Sequence, residues 1–202
     1  MSIIAMTRLL ALLFVLLPAS AHAKVLVSES TKYYNVKGTN GLELSRQMLR
    51  GGRQNISLRH AIAATATNYS IADADVTLKG GKCVVSNVNV RLQITYYYPK
   101  WVASGGTSAA VRRNWQRFYR ELLKHEGMHG AIAKQGAKQI EQKIMAIKAA
   151  PFMGCADFRR KAMAAFRTET NRIRLRQNAF DRKEGSRNSR ISQLQLALMR
   201  SE

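Results

Sequence analysis

VVSNVNVRLQITYYYPKWVASGGTSAAVRRNWQRFYRELLKHEGMHGAI, residues 84–132, contains one change of hydrophobic period, and that change decides the fold. Val88, Val90, Leu92 and Ile94 alternate with Asn89, Arg91, Gln93 and Thr95, the spacing of a strand with one buried face. Tyr96 and Tyr98 extend the series, and Pro99 is expected to stop it. Beyond Gly105-Gly106 the period lengthens. Val111, Trp115, Phe118 and Leu122 fall on one helical stripe, and steps of three, four and three carry it through His125, His129 and Ile132. Thr107 or Ser108 supplies the N-cap, and the helix is expected to reach about Ala149, before Pro151.

Working outward, Lys32-Tyr33-Tyr34-Asn35-Val36 reads as a short strand before a turn at Lys37-Gly38. Leu42–Leu49 reads as a helix ended by Gly51-Gly52, and 64–71 and 75–78 as strands before a turn at Gly80-Gly81. Downstream, Phe158, Ala162, Phe166, Ile173 and Phe180 mark one side of a second long helix, about Asp157 to Phe180. The expected architecture is α+β: an antiparallel sheet of three or four strands packed against two long helices. Residues 24–184 would form the single domain. Residues 185–202 would be a basic, mobile tail, with a short helix around 191–199.

The first residues read as an export signal. Arg8 precedes an apolar run from Leu9 to Leu17, and Ala21-His22-Ala23 gives a small-x-small cleavage pattern before Lys24. The run falls short of the roughly 20 apolar residues that span a bilayer, so no membrane anchor is expected after cleavage, and the product belongs in the periplasm or outside the cell. The chain holds 33 Lys and Arg against 12 Asp and Glu, a net +21. Only Arg8 of these cations leaves with the signal. Such a field attracts polyanions, which for an exported protein means anionic envelope polymers. Nucleic acid is disfavoured, because the aromatics fall on inferred buried faces rather than among the basic residues. Cys83 and Cys155 are the only cysteines, and in an oxidising compartment such a pair is expected to form a disulfide.

His125-Glu126-Gly127-Met128-His129 matches His-Glu-x-x-His. Residues four apart on a helix lie one above the other, so two imidazoles can converge on one ion. The Glu between them can reach a water bound to the same ion and act as general base. One zinc ion held by His125 and His129, with Glu126 catalytic, is the expected centre. Gly127, Gly130 and Gly136 each weaken a helix by about 1 kcal/mol relative to Ala. They suggest close approach by backbone, metal or substrate, or tight helix–sheet packing. A catalytic zinc needs a third protein ligand. Ile132 and Gln135 exclude the extended His-Glu-x-x-His-x-x-Gly-x-x-His pattern, and Glu141 lies about 18 Å beyond His129 along the helix. The third ligand is left open among Asp181, Glu169 and Glu184, with His60 available only if its loop folds back. Glu169 sits on the apolar stripe of the second helix, where a metal or an Arg partner would offset the cost of burying it.

The order of these features resembles a family of secreted bacterial proteins of unknown function that are predicted zinc-dependent proteases. The residues that carry the resemblance are Tyr33-Tyr34-Asn35-Val36 with Gly38-Thr39, Ala64-Thr65-Ala66-Thr67, Pro99 with Trp101, Trp115 and Phe118, the His125–His129 motif, and a cysteine on either side of the long helix. Members end with Tyr-Asp-x-x-Thr-x-His-Gly. Here the stretch is Phe180-Asp181-Arg182-Lys183-Glu184-Gly185-Ser186-Arg187, which keeps Asp181 and places Ser186 at the histidine position. The resemblance implies a zincin-like helix and a peptidase acting on peptide or protein. The departure implies a carboxylate in place of the missing histidine, or loss of tight zinc binding. The rival expectation is a non-catalytic basic envelope protein that binds anionic polymers.

Overall fold

The computed structural model describes residues 24–54, 61–103, 105–147 and 154–202. Its order is β1 (Lys24–Val36), α1 (Gly41–Gln54), β2 (Ala64–Lys79), β3 (Lys82–Trp101), α2 (Ala109–Met145), α3 (Cys155–Glu184) and α4 (Arg190–Met199). The expected signal segment, His60 and Pro151 lie outside the described residues.

The α+β class holds, but the sheet is mixed, with strand order β1-β3-β2. β2 and β3 form an antiparallel hairpin through Gly80 and Gly81, at φ +55° and +72°, the left-handed backbone that a two-residue hairpin turn requires. β1 pairs with the other side of β3 and runs parallel to it, with Val36 opposite Trp101. This corrects the all-antiparallel expectation, and the reason is topological. α1 follows β1 at one end of the sheet, and β2 starts at that same end, with Ala64 opposite Tyr97. β2 then runs down and β3 returns upward between the two, in the direction of β1. The two segments expected at 64–71 and 75–78 are one strand, β2, whose register shifts between Ile71 and Asp73.

Two glycine and proline stops also fail for physical reasons. β3 continues through Pro99, because the pairing to β2 ends at Tyr97 and leaves one side of β3 open, where a proline is tolerated. α1 continues through Gly51-Gly52 to Gln54. A Cβ at Gly51 would lie 2.3 Å from Cε2 of Tyr34, so the glycine makes room for that ring, whose hydroxyl donates to the Ile62 carbonyl at 2.6 Å.

α2 is capped by Ser108, whose hydroxyl accepts from the Val111 amide, and it ends at Met145, short of Ala149. It spans two cores. Val111, Trp115, Phe118 and Leu122 pack with Val36, Leu44, Met48, Tyr98, Leu194 and Leu198. Ala133, Ala137, Ile140 and Ile144 pack with Val88, Val90, Leu92, Ile94, Phe158 and Ile173. The turn 125–129 lies between them. The short helix expected around 191–199 is α4; its Leu198 is fully buried, and the Gly41 amide donates to the Ser201 carbonyl at 2.8 Å.

α3 lies antiparallel to α2. Ile173 meets Gly136, Arg176 reaches Gln135 and Asp181 meets His129, in opposite order along the two helices. Cys83 at the start of β3 is bonded to Cys155 at the start of α3, with Cα atoms 5.0 Å apart and a sequence separation of 72. Replacing both cysteines by serine is expected to lower the unfolding free energy by about 2–5 kcal/mol, read from urea midpoints under non-reducing conditions. An unchanged midpoint would show that core packing alone fixes the start of α3.

Candidate metal centre

The helical spacing of His125 and His129 brings both Nε2 atoms to one point, 3.2 Å apart. The carboxylate of Asp181, from the last part of α3, faces the same point. Its Oδ1 lies 3.4 Å from His125 Nε2 and 2.8 Å from His129 Nε2. Phe180 backs the pair, its ring centroid 4.9 Å from that of His125 and 5.0 Å from that of His129.

Hydrogen bonding fixes what these atoms can do. The Gln177 amide nitrogen donates to the His129 carbonyl at 3.0 Å, which turns Gln177 Oε1 toward His129 Nδ1. An amide oxygen only accepts, so Nδ1 carries a proton, and in the tautomer with no proton on Nε2 the ring presents a lone pair there. That lone pair faces a carboxylate oxygen and a second imidazole nitrogen. Three electron-rich atoms at such distances repel unless a cation stands among them, either a proton or a metal ion. With metal–donor bonds of about 2.0–2.2 Å, a tetrahedron separates its donors by roughly 3.3–3.6 Å, and the observed edges of 2.8–3.4 Å fall close to that range. His125, His129 and Asp181 can therefore hold a metal ion. His125 Nδ1 is buried with no hydrogen-bond partner among the described residues. Burial and the neighbouring His129 hold its pKa below the ordinary histidine value, which keeps the ring neutral and available as a ligand.

The other two candidate carboxylates lie elsewhere. Glu169 is buried and accepts from Arg172 Nη1 at 2.8 Å, the Arg partner that offsets its burial. Glu184 lines an adjoining hollow beside His125 and Asp181 without entering the three-donor group.

Glu126 is 4% exposed. Thr65, at the start of β2, donates its hydroxyl to Glu126 Oε2 at 2.7 Å. Burial raises the Glu126 pKa above the usual carboxylate value, with the Thr65 bond and His129 opposing. Two of the three helix glycines, Gly130 and Gly136, serve packing. A Cβ at Gly130 would lie 2.1 Å from the Tyr96 hydroxyl and one at Gly136 2.4 Å from Ile173, whereas Gly127 faces open space.

A cleft of about 630 Å³ lies over the centre, lined by Thr65, Thr67, His125, Glu126, His129, Arg174, Gln177 and Asp181 among others. A second hollow of about 320 Å³ shares Ala61, Ala63, His125, Glu126 and Asp181 with it and adds Glu184 and Gln195. The donor group thus sits where two hollows meet. Thr65 and Gln177 are the functional candidates that the sequence reading did not single out. Gln177 stands one helical turn before Asp181, a spacing that marks it once Asp181 is chosen.

A family model described as "Bacterial protein of unknown function (DUF922)" matches residues 31–188. No curated protein and no solved structure matches the chain.

Proposed function

The chain belongs to that DUF922 family, and from its three-donor centre we propose that it is a zinc-dependent hydrolase acting on peptide bonds outside the cytoplasm. The observation that carries this reading is the convergence of His125 Nε2, His129 Nε2 and Asp181 Oδ1 beside the buried carboxylate of Glu126. Two nitrogens and one carboxylate oxygen form the ligand set of catalytic zinc, with a fourth position left for water or substrate. Bound there, zinc supplies a Lewis acid and lowers the pKa of water to roughly 7.

The protein's own groups do the rest. Gln177 holds His129 in the tautomer that presents Nε2. Glu126, its proton affinity raised by burial, takes the proton of the attacking water and returns it to the leaving amine. Thr65 orients that carboxylate. β2 is an outer strand of the sheet, and its edge offers an extended peptide main-chain hydrogen bonds beside the cleft. The Cys83–Cys155 disulfide fits an oxidising compartment. No helix among the described residues is long and apolar enough to cross a membrane.

The test is metal analysis joined to an assay. Purified protein is expected to hold about one zinc per chain, the number one three-ligand centre accommodates. It should cleave quenched-fluorescence peptides, lose that activity to a chelator and regain it with zinc. Hydrolysis that persists at zero zinc, or full zinc with no hydrolysis of any peptide, would rule the assignment out.

A further inference from the structure

The larger cleft is chemically lopsided. Its lining includes one lysine or arginine, Arg174, while its two carboxylates, Glu126 and Asp181, both belong to the centre. In a chain this basic, an exposed arginine is ordinary, but this one differs from its neighbours on α3. Arg172 is held by Glu169, and Arg176 donates to Gln135 and Gln139. Arg174 lies between them, exposed, and has no ion-pair or hydrogen-bond partner among the described residues. The adjoining hollow on the far side of His125 carries the opposite charge, Glu184. A substrate crossing the centre therefore meets a cation at one end and a carboxylate at the other.

We propose that Arg174 is a specificity-determining residue that takes a carboxylate of the substrate; this rests on the hydrolase reading above. Arg174 precedes Asp181 by seven residues, two turns on the same helix face and about 10 Å along the axis. An extended peptide advances about 3.3 Å per residue, so the recognised carboxylate lies about three residues from the reacting bond. A guanidinium fork matches a carboxylate with two parallel hydrogen bonds. The carboxylate can come from a peptide C-terminus or from an acidic side chain.

The experiment measures binding to metal-free protein, so that it needs no turnover. Three probes are titrated: acetyl-tetra-alanine as the free acid, the same peptide as its amide, and an amide with Glu in the last position. The readouts are the dissociation constant and the Arg174 side-chain Nε–H resonance. At least one carboxylate-bearing probe is expected to bind about tenfold more tightly than the neutral amide and to shift that resonance. The preference should vanish in Arg174→Gln, with folding unchanged. A preference for the free acid identifies a C-terminus, and one for the Glu amide a side chain. Equal binding of all three, no binding at millimolar concentration, or a preference that survives Arg174→Gln overturns the proposal. If the preference holds while the zinc-loaded wild type cleaves nothing, the hydrolase reading fails and the anion site stands.

Discussion

Replacing Glu126 by Gln is expected to reduce peptide hydrolysis roughly a hundred- to ten-thousand-fold, the range attributed to a positioned general base, while zinc content and unfolding midpoint stay at wild-type values. The substitution keeps the shape of the side chain, so the cavity beneath it does not change. The Thr65 hydroxyl, 2.7 Å from Oε2, can donate equally well to an amide oxygen. On the hydrolase reading, what disappears is the basic oxygen that would take the proton. Glu126 lies outside the three-donor group, so the ion should remain. An activity within a few-fold of wild type would remove Glu126 from the chemistry. Loss of activity together with zinc would show that it works as a ligand.

The second large effect separates ligands from the group that orients them. His129→Ala removes one of three donors, and stoichiometric zinc should be lost. Gln177→Ala leaves all three donors in place but removes the acceptor that fixes the His129 tautomer and the donor to the His129 carbonyl, and zinc affinity should fall roughly ten- to a hundredfold. Met128→Ala, at an exposed position of the same turn, serves as the control and should bind as wild type. Competition against a chromophoric chelator ranks the three. Equal affinities across the set would mean that the imidazole pair is not a metal centre at all.

The elements legible in the sequence are those fixed by neighbours along the chain. The alternation from Val88 to Ile94 and the stripe from Val111 to Leu122 are local patterns, and both faces are buried as the periods require. The placement of β1 was not legible. Its pairing with β3 joins residues 65 positions apart, such as Ser30 and Thr95, and no local period records direction. Gly51 looked like a helix stop because the ring that needs its space, Tyr34, belongs to another element. The candidate centre divides in the same way. One turn of α2 announces His125 and His129, whereas choosing among Asp181, Glu169 and Glu184 requires the register between α2 and α3. That register puts Asp181 opposite His129 and leaves Glu169 to Arg172. Thr65 lay within a stretch already read as strand, but its reach to Glu126 depends on how α2 lies across the sheet.

The contact of Gly136 with Ile173 has a consequence beyond packing. Gly136 stands two turns from His129, and Ile173 a little over two turns from Asp181, so the pair works as a fulcrum for the two arms that end in ligands. A methyl group added at Gly136 would press on Cδ1 and Cγ1 of Ile173 at 2.4 Å, and unless that side chain turns aside the arms part and the distance from His129 Nε2 to Asp181 Oδ1 grows. The spacing of the three donors would then be set from a buried position outside the donor group.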